Sequence, residues 1–401
     1  MRILIRLVAR RLLGPLVLAL TALGLVALPG AALASGGPGA TAPSAGHVYL
    51  DGNTTGGNTV VAYDRAPDGS LTPTPGSPFA VGGAGLGAGL GSEGAIQVAD
   101  HGRFVLAVDA GSNQISVLQV NRDGSLTQVP GSPVSSGGVE PVSVAVHHHL
   151  VYVANDGNAT TSANYTGFYL TPFGQLVPLP NSTVDAPGAA NDLGDVLFNS
   201  TGTHLVGTEV ASSLIDSFRV DRLGYLETAP GSPYAGQGLG SFGSAFRPTN
   251  PDQLFVSNPH NVGNGVGTVS AYDVASNGKL FSVGASPFAD LQNGPCWVAI
   301  TPDGQHLFVV NTGSGTVSRF AIDPSGTLTL LGATPVNDNG GVGGTDDAIS
   351  PDGRNLYINE TAAHGVAEMR INGGNLTELP GSPAALPAGI TASAGAVATD
   401  S

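Results

Sequence analysis

The chain has 401 residues, 14 Lys and Arg against 29 Asp and Glu, and a formal net charge of −15. This acidic balance excludes nucleic-acid or anionic-lipid binding driven by a basic surface. A single cysteine, Cys296, excludes an intrachain disulfide, so stability has to come from packing.

Residues 1–34 read as a secretion signal. Arg2, Arg6, Arg10 and Arg11 form a basic start, Leu12 to Leu28 is apolar, and Ala32-Leu33-Ala34 is a small-x-small cleavage site. Residues 35–46 are rich in Gly, Pro, Ala and Ser and read as a flexible lead-in. The signal carries four Arg and no acid, so the remainder has ten basic and 29 acidic residues, 10 − 29 = −19. The expectation is a secreted monomer that leaves the membrane once the signal is cleaved.

Residues 47–401 are built on a repeat. Gly69, Gly124, Gly174, Gly224, Gly278, Gly326 and Gly374 are each followed two positions later by Leu (Leu71, Leu126, Leu176, Leu226, Leu280, Leu328, Leu376). In four of the seven units the run then ends in Gly-Ser-Pro, as in Gly131-Ser132-Pro133, and a fifth ends in Ala285-Ser286-Pro287. From Gly69 to Gly374 the mean period is about 51 residues, in the range of four-stranded propeller blades. Within a unit, strand a is clearest at Trp297–Ile300, strand b at Leu307–Asn311 and strand c at Thr316–Ile322; the Gly-x-Leu turn then opens strand d, which the proline is expected to end. The repeated Leu is assigned to the layer between blades.

The first unit begins at a strand b, Val48–Leu50, and the chain finishes on a strand a, 395–399. The predicted fold is therefore all-β: a seven-bladed β-propeller of four-stranded blades, closed by the C-terminal inner strand pairing with the N-terminal strand b.

Pro302-Asp303-Gly304 through Asn311-Thr312-Gly313, with its counterpart at Pro351-Asp352-Gly353, resembles the YVTN/lactonase-type propeller repeats. With the Gly-x-Leu…Gly-Ser-Pro element, the chain is most similar to the lactonase family, which includes bacterial propeller 6-phosphogluconolactonases and carboxymuconate cycloisomerases. The resemblance covers residues 48–401. It implies a His at the start of one strand a and an Arg-His pair before the next in enzymatic members. This chain has Gly94-Ala95-Ile96-Gln97-Val98 and Glu140-Pro141-Val142-Ser143-Val144 at those places.

In a propeller the d-to-a and b-to-c loops meet at one face, the mouth. Sorting by face puts His101, His147, His148, His149, His204 and His306 in or beside a-to-b turns on the far side, and only His260 and His364 in mouth loops. The mouth is acidic. Glu93, Glu140, Asp192, Asp195, Asp346 and Asp347 stand in or next to the starts of strands a, with Asp109, Asp156, Glu209 and Glu360 near b-to-c loops. Candidate ligand-binding residues are Glu93, Glu140, Asp192, Asp195, His260, Trp297, Asp346 and Asp347. Asp346, Asp347 and Glu140 are the candidates for an oxygen-donor site holding Ca²⁺ or another divalent cation. An anionic sugar phosphate would be repelled, which disfavours 6-phosphogluconolactone. Gly89-x-Gly91-x-x-Gly94 matches a dinucleotide fingerprint in letters, but no helix is expected after it.

Two readings follow. The first is a binding module whose acidic mouth takes a small molecule, polysaccharide or protein. The second is a lactonase-type hydrolase or cycloisomerase working with metal assistance.

Overall fold

Apolar runs of four to seven residues punctuated by turn glycines are too short for helices and long enough for strands. A computed structural model describes residues 44–187, 192–337, 343–360 and 362–400. The expected signal, residues 1–34, and most of the expected lead-in lie outside the described residues. Seven antiparallel sheets form, each in the order a-b-c-d. Numbered by their b strands, blades 2 to 7 take strands a from Ile96–Ala99, Pro141–His147, Leu193–Phe198, Ser244–Arg247, Pro295–Ile300 and Gly344–Ile349. Among the described residues the only helix is a 3-10 turn, Ala110–Ser112.

Blade 1 combines Gly46–Asp51, Thr59–Arg65 and Leu71–Pro73 with Ala394–Asp400. Tyr49 pairs with Val397, Val48 with Ala398 and Gly46 with Asp400. The ring closes as the sequence implied. Consecutive strands a touch in cyclic order around the axis. Arg65, only 1 % exposed, clamps the seam: it donates to the Ala45 carbonyl (2.6 Å), to Asp400 (2.8 Å) and to Asp352 of blade 7 (3.3 Å).

Each blade is covered on both faces by its neighbours, so strand b reads as an apolar run rather than an alternation; Val48, Tyr49 and Leu50 are all fully buried. The core is divided into seven apolar clusters, one at each blade junction. The repeated Leu enters these layers, as Leu126 does between blades 1 and 2 and Leu176 between blades 2 and 3. The turn glycines take part as well. Tyr49, Tyr152 and Tyr357 donate their hydroxyls to the carbonyls of Gly124, Gly224 and Gly69 in the following blade.

Strand d departs from expectation. In six blades it is broken into two short pieces that both pair with strand c, such as Leu126–Gln128 and Val134–Ser135. The proline, or Thr183 in blade 3, sits inside the break instead of ending the strand. The serine before it explains the interruption: Ser77, Ser132, Ser182, Ser232, Ser286 and Ser382 each accept a strand-c N–H that would otherwise lose its partner. In blade 6 the turn is missing, and Leu328–Pro335 runs unbroken with Pro335 at its end.

Candidate functional site: an acid-lined axial channel

The connection from blade 1 to blade 2, residues 81–95, is the longest d-to-a loop. Its first half is pinned to blade 1, where Gly85 and Gly87 donate to the carbonyls of Thr54 and Asn53. Its tip, Ser92-Glu93-Gly94, then enters the channel enclosed by the strands a. The Glu93 N–H donates to Gly194 O of blade 4 (2.8 Å), and the Glu93 carboxylate accepts from Val298 N of blade 6 (3.2 Å). The Ser92 hydroxyl donates to Val142 O of blade 3 (2.8 Å), and Ser92 O accepts the Trp297 indole N–H (2.9 Å). Two glycines make room. Gly94 has φ +79°, and a Cβ there would lie 2.8 Å from the Ser143 hydroxyl; a Cβ on Gly243 would stand 2.0 Å from the Glu93 carboxylate.

Three aspartates on strands a surround this tip. Asp195 accepts from the hydroxyls of Ser143 (3.2 Å) and Ser244 (2.6 Å), on the blades either side. Asp346 accepts weakly from Gly94 N (3.4 Å) and from Asp347 N (2.7 Å). Asp347 is 8 % exposed, and its Oδ2 is buried with no hydrogen-bond partner. Burial is the main force on all four acids, raising Asp195 to about 7 and Asp347 to about 8. Glu93 and Asp346 are pushed well above the carboxylate range by burial, and then by the negative charges around them. The ion pairs among the described residues, such as His47–Asp64, Arg65–Asp400 and Arg219–Glu227, all lie elsewhere.

The remaining sequence candidates fall into a second group on the rim. Asp156 accepts from Leu193 N (2.7 Å) and is raised to about 6 by burial, with the charges of Asp192 and Glu140 adding to the effect. Asp192 is raised by burial and held down by His260, which is exposed. Glu140, at φ +56°, donates its N–H to Asn113. The proposed trio of Asp346, Asp347 and Glu140 is therefore divided between the channel and the rim. Among the described residues no group of three His, Cys, Asp or Glu side chains is arranged to hold a metal ion.

Trp297 offers no open face to a ligand: it is 5 % exposed and packs edge-on against Phe242 at 5.1 Å between centroids. Gly94 leads into a strand, so the dinucleotide fingerprint has no helix behind it. Sequence reasoning missed Ser143 and Ser244 as the aspartate's partners, and it missed the descent of Ser92–Gly94 into the channel. The exceptional length of loop 81–95 was the available signal.

Residues 247–346 match the family model described as lactonase, 7-bladed beta-propeller. No curated protein matches the chain. Among solved structures, a candidate 6-phosphogluconolactonase from Bacteroides uniformis aligns at 19 % identity and TM-score 0.67, covering 86 % of this chain and 98 % of its own. A second, from Bacteroides fragilis, aligns at 17 % identity and TM-score 0.69, covering 89 % and 98 %. The periplasmic gluconolactonase of Pseudomonas aeruginosa aligns at 18 % identity and TM-score 0.64, covering 85 % and 98 %. At such identities the likeness speaks for the fold and not for the reaction. With seven blades and a closed seam, this chain is a seven-bladed β-propeller, and it is similar to the lactonase propellers over residues 247–346.

Proposed function

We propose that the protein is an exported propeller whose acidic mouth binds a neutral, hydroxyl-rich small molecule or polysaccharide. The observation that carries this reading is the convergence of Glu93, Asp195, Asp346 and Asp347 with none of the described ion pairs among them. Carboxyl oxygens accept hydrogen bonds from hydroxyl groups whether or not they hold a proton, which suits alcohols and sugars. The same groups offer no cation to a phosphate or carboxylate. Export rests on the signal read in residues 1–34.

A second reading, a lactonase-type hydrolase or cycloisomerase, is favoured by one feature. Asp156, with a pKa of about 6, stands near Asp192 and His260 on the rim, in the range useful for proton transfer.

A titration-calorimetry panel of neutral sugars, sugar phosphates and lactones, run with lactone turnover assays, separates the two. Binding of neutral sugars without turnover supports the first reading. Turnover lost in Asp156→Asn supports the second. Binding confined to sugar phosphates would sink both.

A further inference from the structure

The tip Ser92-Glu93-Gly94 is unusual in how it is held. Its bonds reach strands a of blades 3, 4, 6 and 7, including Val144 N to Gly94 O at 2.9 Å, and none of these links belongs to a sheet ladder. The tip therefore closes the channel without being part of the wall. Asn53 holds the loop as far as Ala88; beyond it come Gly89, Gly91 and Gly94, two of them at positive φ, so the tip's own bonds largely determine the rest of the course.

The charged groups that bear on Glu93 are all acids. Asp195 comes from blade 4, and Asp346 and Asp347 from blade 7. Blades 3 and 5 present Ser143 and Ser244, and blade 6 presents Trp297, while the neighbouring Cys296 thiol, raised by burial to about 11, bonds Thr312. One strand further out, Glu209 and Glu360 end strands b of blades 4 and 7, and Tyr165 feels both Glu209 and Asp195. The three aspartates are fixed on ladder strands. Glu93 is the one acid of the four whose backbone can leave.

We propose that Ser92-Glu93-Gly94 is a pH-gated stopper, seated in the axial channel while the surrounding carboxyls hold protons and withdrawn as they ionise. Withdrawal relieves the opposition between Glu93 and three fixed negative charges, lets water reach them, and opens Asp195, Asp346 and Asp347 to the mouth. The inference does not depend on which ligand the mouth takes, because the gating is a property of the free protein.

Trp297 is the only tryptophan, and its indole N–H is bonded to the tip, so its fluorescence reads the stopper directly. The full chain is titrated from about pH 5 to about pH 9.5, spanning the about 7 and about 8 of Asp195 and Asp347. The expected result is a red shift of the emission and about a twofold rise in acrylamide quenching, with the far-UV circular dichroism unchanged. Glu93→Gln keeps an oxygen for Val298 N–H but cannot ionise, and it should abolish the transition. Asp347→Asn removes a charge without touching the tip and should move the midpoint by about half a pH unit or more. Emission that stays constant, a transition unaltered in both variants, or a loss of dichroism in step with the red shift would each overturn the proposal.

Discussion

The Tyr357 hydroxyl donates to the Gly69 carbonyl at 2.9 Å, joining positions 288 apart in the chain across the junction of blades 7 and 1. The Tyr152–Gly224 bond makes the same link between blades 3 and 4, where the chain is continuous (2.9 Å). If the closing junction behaves like the others, Tyr357→Phe and Tyr152→Phe should each cost about 1 kcal/mol. Urea denaturation of both variants checks this. A loss at Tyr357 several times that at Tyr152 would show that the closing junction is the weak one.

Stability should fall as pH rises through neutrality. The channel acids are raised in the folded state, so between an unfolded pKa near 4 and the folded values of about 7 for Asp195 and about 8 for Asp347 the native state binds the extra protons. The stabilising contribution is complete below the unfolded pKa and is lost as pH climbs through the folded one, at about 1.4 kcal/mol per pH unit for each group. Thermal melts from pH 5 to 8.5, with Asp195→Asn and Asp347→Asn beside the parent, test the sign. A melting temperature that rises over this interval contradicts the assignment; shallower slopes in the variants support it.

Asn58 joins two buried carboxyls. Its side-chain amide donates to Asp51 (2.8 Å) and to Asp109 (3.0 Å), bridging blades 1 and 2. Burial raises both acids, Asp51 strongly. Asn58→Leu leaves them facing an apolar group and should destabilise by about 3 kcal/mol. Differential scanning calorimetry would detect the change, and a variant as stable as the parent would mean that water takes over the role of the amide.

The serines of the Gly-Ser-Pro turns should act independently. Ser132 accepts Val117 N–H (2.7 Å) and Ser232 accepts Ser217 N–H (2.9 Å) in separate blades. Each Ser→Ala change should cost about 1 kcal/mol, with the double variant near the sum. Chemical denaturation of the two singles and the double measures the additivity.

The fold was legible because propeller geometry repeats. Gly124 and Leu126 fall at the same turn and the same junction as their six counterparts, and an ending on 395–399 left only Val48–Leu50 to pair with. What the repeat could not reveal was the departure from it. Gly-Ser-Pro looked like a strand terminator because the serine's reach to strand c depends on a chain reversal that the letters do not encode. The acidic mouth was legible as a set of charges sharing one face. Its division into channel and rim was not, because whether Glu140 reaches Asp346 depends on how far a loop rises from its strand. The surroundings of Trp297 were illegible for a related reason: a residue near the start of strand a can face the mouth or a neighbouring blade, and here Ser92 accepts its indole N–H.

The seam joining 46–51 to 394–400 is held by the same ladder bonds and side-chain layers as any continuous blade. Gly46 and Asp400 are cross-strand partners, so a short covalent bridge between them would leave every sheet intact. A circular permutant relinked there and reopened in the exposed loop 262–264 should recover the native architecture. In that respect the molecule has no first blade, only a place where the chain enters and leaves the ring.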